Sequence, residues 1–565
     1  MKNARHLRVF AATMIAAWFL VSCGGGGGGG DGSGGATGGG NNFGNGPVCP
    51  TTWAPPTGPL VTLGGIAQYE RIGQKSNGGL DYANITTQPV KGATVELIYQ
   101  CQTIATTQTS ASGQYNFVGV PGGNVVSVRV KAELKQTSGA ATWDVTVRDN
   151  TAGDALYAMQ SVDFNAGTGT VQNLTAASGW DGASYSQIRA AGPFAILDTI
   201  YSSQQKIVSA QPTIAFPLLQ VFWSVKNNLN DGLISDGDIG TSFFTATGSG
   251  SAITSRSIYI LGQANQDTDE YDNSVIAHEW GHYYQNAFSR DDSMGGNHGG
   301  ADDRLDRRIA FSEGWGNALS GIVLSKSTYS DSKGANQASG FVLSLNSGHA
   351  SSATNPKGWF RESSIQYILW DLNRQVGFTE IHRAMSGSAF KNGSPLTDIH
   401  AFSAAYRTAV GSTSTLTIAL NTLLTSESIN STSNAYGSNE TNNGGSTTTL
   451  PYYRDLNANG TAAVAGQTIC TTSLFSGAER NKLGYFAYAR VLIAAAGSKT
   501  ITVTSSTLNS DVDFQLYKNG QRIFVADVAA NQSETKPQNL AAGEHILVIY
   551  DFNKVANTCY TVSIS

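Results

Sequence analysis

The chain has 565 residues, with 35 Lys and Arg against 40 Asp and Glu, and only 13% of its residues are charged. A net charge of −5 supplies no basic field for nucleic acid, so no nucleic-acid partner is expected. The 65 glycines read as a secreted, β-rich and loop-rich protein, and the length is that of three or four domains.

Lys2, Arg5 and Arg8 precede an apolar run from Val9 to Val21 that is too short to span a bilayer, which is the pattern of a signal peptide over residues 1–22. The run ends Leu20-Val21-Ser22-Cys23 and resembles a bacterial lipobox. That resemblance implies cleavage before Cys23 and a lipid on it. The body would then be extracytoplasmic, anchored to a bacterial membrane at the outer membrane or cell surface. Residues 23–57 are a glycine-rich tether with no capacity to pack. Four further cysteines, Cys49, Cys101, Cys470 and Cys559, lie in two separated clusters. Three pairings are possible, and locality within a domain selects Cys49–Cys101 and Cys470–Cys559.

Residues 58–132 carry β-type runs at Val61–Ile66, Thr94–Tyr99, Tyr115–Val118 and Val125–Val130, with turns at Ser112-Gly113 and Pro121-Gly122-Gly123. The segments Pro89 to Leu97 and Ser112 to Phe117 resemble carboxypeptidase-regulatory-type β-sandwich modules. No catalytic grouping is visible there.

The region 133–425 begins with a β-rich connector. A helix is expected over 186–210, where Pro193 suits its start, and strands at Leu218–Val225 and Ser257–Leu261. Asn230-Asp231-Gly232 and Asp236-Gly237-Asp238 are weak calcium candidates, since such clusters usually form turns. Val275-Ile276-Ala277-His278-Glu279-Trp280-Gly281-His282 follows. On a helix, His278 and His282 share a face and can aim two imidazoles at one zinc ion, while Glu279 reaches a water as general base. The acidic run Asp267 to Ser274 offers N-caps, and Trp280, Tyr284 and Phe288 form a separate apolar face. The longer metzincin pattern fails at Gln285 and Phe288.

A catalytic zinc needs a third ligand and an open position. Glu313 is the first candidate, on a second expected helix whose face it shares with Asn317 and Ser320. Asn317 would support a ligating histidine. His298 is the rival, set among glycines, and Asp302, Asp303 and Asp306 form either a solvated acidic face or a calcium site. Together, V-I-A-H-E-x-x-H and S-E-G-W resemble the gluzincin metallopeptidases, the thermolysin and fungalysin group. The resemblance implies His278, His282 and Glu313 as ligands of one catalytic zinc and Glu279 as the base. It also implies a protein or peptide substrate, and an edge strand at Ser257–Leu261 that pairs with substrate backbone. Asn317 departs from it, standing where an aspartate is expected.

Further helices are expected at Trp359–Leu372, Phe378–Met385 and 401–425. His349, His382 and His400, with Arg361 and Tyr367, are the candidates for stabilising a transition state. Residues 426–467 read as a linker. The strands of 468–565, with Asp511 to Tyr517 and Ala542 to His545, resemble the bacterial pre-peptidase C-terminal domain. Asp511 and Asp513 there bind calcium or cap a turn. The expectation is a multidomain chain, an α+β zincin-like peptidase domain flanked by two small all-β sandwich domains. The alternative is a surface binding or adhesion lipoprotein with a structural or vestigial zinc. Substrate preference and oligomeric state are not legible.

Overall fold

The structure is a computed structural model that describes residues 49–248, 253–296, 298, 303–456, 469–475, 480–527 and 531–565. The signal peptide, Cys23, most of the tether, Asp302 and the end of the expected linker lie outside the described residues. The fold is mostly sheet with fewer helices, and its contacts divide it into two units. Among the described residues, one unit holds 49–283 and 323–343, and the other holds 284–322 and 344–565.

In the first unit the strand Leu60–Gln74 pairs with Leu80–Pro89 and Gln114–Pro121 and with two short strands near residues 170–176. Alternation along Gln114–Pro121 turns Tyr115 and Phe117 inward and leaves Asn116 and Val118 outside, as a half-buried strand requires. A larger sheet runs in the order Phe243–Thr247, Ser255–Ile260, Leu219–Trp223, Trp143–Asp149, Val125–Gln136, Ala93–Tyr99, Gln102–Gln108. The strand Val125–Gln136 passes through residue 132, so one sheet joins the N-terminal β-region to the strands that precede the His-Glu-x-x-His motif. Gln100 and Cys101 both have positive φ, giving a two-residue hairpin of the primed kind. Cys101 at its tip is bonded to Cys49.

The helix α1, Gly192–Ala210, starts on Pro193 and buries Phe194, Ile196, Leu197, Ile200 and Ile207. Glycine is needed at 192, because a Cβ there would come within 2.9 Å of the Trp223 ring. One expectation is corrected. Ser255–Ile260 is not an edge strand, since it is flanked by Leu219–Trp223 on one side and by the antiparallel strand Phe243–Thr247 on the other. The edge is Phe243–Thr247.

Two helices carry the motif residues: α2, Asn273–Phe288, and α3, Arg307–Leu324. The carbonyl of Asp272 accepts from the amides of Val275 and Ile276, so the chain turns into α2 just after the acidic run. In the second unit follow α4, Glu362–Val376, α5, Phe378–Ser386, the short α6, Ser388–Lys391, α7, Ile399–Val410, and α8, Thr415–Ser426. Gly314 lets α3 approach α4, for a Cβ there would sit 2.6 Å from Ile365 Cβ. Asp398 and Ser414 cap α7 and α8 with their side chains. The segment expected as a linker is packed where it is described. Tyr452 and Tyr453 are buried, with the Arg307 guanidinium 3.5 Å from the Tyr452 ring centroid. The C-terminal part is two antiparallel-rich sheets enclosing Val491, Ile501, Phe514, Leu547, Ile549 and Val562. Cys470 and Cys559 stand directly opposite each other on paired strands and are bonded.

Candidate metal centre

His278 and His282 stand one turn apart on α2, and their Nε2 atoms lie 3.1 Å from each other. Two nitrogens bound to one tetrahedral zinc are about 3.3 Å apart, from Zn–N bonds of about 2.05 Å. The pair therefore already has the spacing of a shared ion. A single N–H···N hydrogen bond between neutral imidazoles would give a similar distance, so the third donor matters. His278, His282 and Glu313 form a group in which one ligand atom from each lies within 4.8 Å of the others. His278 and Glu313 are buried, at 8% exposed each. Two nitrogens and a carboxylate oxygen suit zinc far better than a hard cation such as calcium.

Glu279 is not a member of that group. Its Oε2 accepts a hydrogen bond of 2.8 Å from the backbone amide of Phe244, on the edge strand Phe243–Thr247. Its position on α2 is rotated by about 100° from that of His278. Aromatic residues pack along other faces of α2. Trp280 meets Phe216 and Tyr283, and Tyr284 meets Phe288 and Trp315.

Around Glu313 the structure places His298, the rival candidate for third ligand. His298 Nε2 is 3.3 Å from Glu313 Oε2, and its Nδ1 is 3.4 Å from Glu362 Oε2. Burial alone would discourage the imidazolium, but the Glu313 and Glu362 carboxylates outweigh it and push the group up to about 11. Asn317 donates to Glu362 Oε1 and, at 2.9 Å, to Gln366 Oε1. The amide thus holds Glu362, which holds His298, which touches Glu313. The sequence signal for His298 was thin, a lone histidine in a glycine-rich loop between two helices.

The other singled-out residues have definite partners. His349 Nδ1 is 2.8 Å from Ser363 Oγ, and His382 Nδ1 is 2.8 Å from Tyr284 Oη. Burial pulls His382 down to about 4. His400 Nε2 lies 3.1 Å from Glu440. Arg361 donates to the Pro356 carbonyl at 2.9 Å, and Tyr367 is half-buried on α4. None of the five belongs to the ligand group. The weak calcium candidates also have ordinary roles. Asp238 accepts from Asn228, Asp303 pairs with Lys482, Asp306 with Arg308, and Asp511 accepts from the amide of Asn531. Burial, and then Asp511, push the Asp513 carboxyl up to about 7.

No family model and no curated protein matches the chain. Parts of it are similar to solved structures. Over 20% of its length it is similar to the pre-peptidase C-terminal domain of a Bacillus anthracis collagenase, at 15% identity, covering 90% of that chain with a TM-score of 0.15. A further 15% identical likeness, over 14% of the chain and 75% of the other, is to PliG of Aeromonas hydrophila, a periplasmic inhibitor of g-type lysozyme (TM-score 0.12). A carbohydrate-binding module of a Cellvibrio mixtus lichenase is 19% identical over 18% of the chain and 85% of that module (TM-score 0.12). The first names the kind of module that the C-terminal sequence resembles, and none of the three bears on the metal group.

Proposed function

We propose that this chain is a zinc-dependent endopeptidase, held at a bacterial envelope by a lipid on Cys23. The observation that carries the reading is the division of labour at α2. His278 and His282 converge with Glu313 on one point, while Glu279, one residue from a ligand, is kept out of the group by the Phe244 amide. A structural site has no use for an acid fixed next in sequence to a ligand but outside the ligand set.

When bound, zinc would polarise a scissile carbonyl and lower the pKa of an attacking water. Each remaining role falls to a residue. Glu279 takes a proton from the water and returns it to the leaving amine. Phe244 holds the carboxylate in place through its N–H. On the same edge, the outward N–H two residues on, at Ala246, is placed to donate to a substrate backbone carbonyl by strand addition. His298, Glu362 and Asn317 fix the Glu313 carboxylate. The two disulfides fit an oxidising, extracytoplasmic compartment. No helix among the described residues is long and apolar enough to cross a membrane.

The alternative, a binding lipoprotein with a structural zinc, is favoured by one observation: His298 Nε2 stands 3.3 Å from a ligand carboxylate and is a potential fourth donor. Metal content of His298→Ala separates the two. On the peptidase reading the variant still takes up one zinc per chain, with affinity weakened about 10–100-fold, and on the structural reading it loses the ion.

A further inference from the structure

A second group of donors lies in the first unit, away from any histidine. One carboxylate oxygen from each of Asp267, Asp269, Asp272 and Asp331 lies within 4.8 Å of the others. The first three stand in the segment that leads into α2, and Asp331 is on the strand Thr328–Lys333. We propose that these four aspartates bind one calcium ion.

Four acidic side chains in one place are not by themselves a site, and the second observation is their unmet bonding. Asp269 is 3% exposed, and its Oδ1 is buried with no hydrogen-bond partner; its other oxygen accepts from Ser242. The Oδ1 atoms of Asp267 and Asp331 are likewise buried and unpartnered. A buried carboxylate oxygen without a donor costs several kcal/mol unless a cation meets it. Asp272 is the anchored member, its oxygens taking Gln74 Nε2, the Ser332 amide and Ser332 Oγ. Lys333, whose charge acts on Asp267 and Asp331, is exposed and cannot neutralise four carboxylates. Burial and the mutual proximity of the acids also push Asp267 up to about 7, and burial pushes Asp331 up to about 6, which is the resistance to ionisation that a bound cation removes.

An all-oxygen, all-carboxylate set selects a hard cation. Calcium takes six to eight oxygens at roughly 2.4 Å, so opposed donors sit up to about 4.8 Å apart, whereas magnesium keeps several waters and takes only one or two carboxylates. The ion would tie the strand Thr328–Lys333 to the start of the histidine-bearing helix, because Asp272 also accepts the first amides of α2. This inference is independent of the peptidase reading.

The test is thermal unfolding of the purified protein with calcium or magnesium, beside Asp269→Asn/Asp331→Asn. Calcium is expected to raise the wild-type midpoint by roughly 5 °C or more at a large excess over Kd, and calorimetric titration to give one site per chain. The double variant should show no calcium response. Its metal-free midpoint should match or exceed the wild type's, since two buried charges are gone. Terbium binding to the wild type, read by emission sensitised through the protein's aromatic residues and displaced by calcium, keeps the test valid if the variant fails to fold. A wild-type midpoint indifferent to calcium, saturation by magnesium instead, or absence of sensitised terbium emission would overturn the proposal.

Discussion

The backbone amide of Phe244 donates to Glu279 Oε2 at 2.8 Å, so an edge strand fixes the acid of the His-Glu-x-x-His motif. That amide is directed at Glu279 rather than at the neighbouring strand. Phe244→Pro therefore removes the donor without breaking the sheet, because proline is tolerated on edge strands. Zinc content should be unchanged and the hydrolysis rate should fall roughly tenfold or more, the loss typical of a mispositioned catalytic group. Phe244→Ala, which keeps the N–H, should stay near the wild-type rate. Equal losses in both variants would show that the ring and not the amide matters.

Glu279→Gln isolates the proton transfer. The amide fills the same space and cannot act as a base, so kcat should fall by about 10²–10⁴-fold with one zinc retained. Unchanged hydrolysis by a zinc-loaded variant would remove Glu279 from the reaction.

Glu362→Gln tests the network behind Glu313, the proposed third ligand. Glu362 touches His298 and accepts from Asn317, but it is not in the ligand group. Loss of such an outer partner typically weakens metal affinity by about 10–100-fold. Competition with a chelator of known affinity measures it, and an unchanged zinc Kd would disconnect Glu362 from the site.

His382 gives a pH dependence away from the metal. Its folded-state pKa is lowered to about 4 by burial, while an unfolded histidine titrates near 6.5. The unfolded chain thus binds a proton that the folded chain refuses. Stability is fully present above about pH 6.5 and is lost as the pH falls towards 4, by up to roughly 3 kcal/mol. Unfolding of His382→Asn should lack this part of the acid slope, and parallel slopes for the two proteins would contradict it.

Much of the architecture was legible because it is local. Pro193 marked the start of α1, the four-residue step of His278 and His282 marked a helix face, and the separation of the cysteines into two clusters gave both pairings that formed. What was not legible depends on pairing at a distance. Ser257 to Leu261 looks like an edge strand until Phe243–Thr247, made of weakly patterned Phe and Thr residues, adds itself outside it. His298 looks idle among glycines until Glu313 and Glu362 arrive from two helices. The run Asp267 to Asp272 reads as helix capping, and only Asp331, some sixty residues on, completes the group of four carboxylates.

The most direct measurement is metal content together with hydrolysis of an unstructured protein such as casein, on the purified chain lacking residues 1–46, with and without a chelator. The account predicts one zinc per chain and cleavage that stops when zinc is removed and resumes when it is restored. A chain that binds no zinc, or cleavage that survives zinc removal, would contradict it.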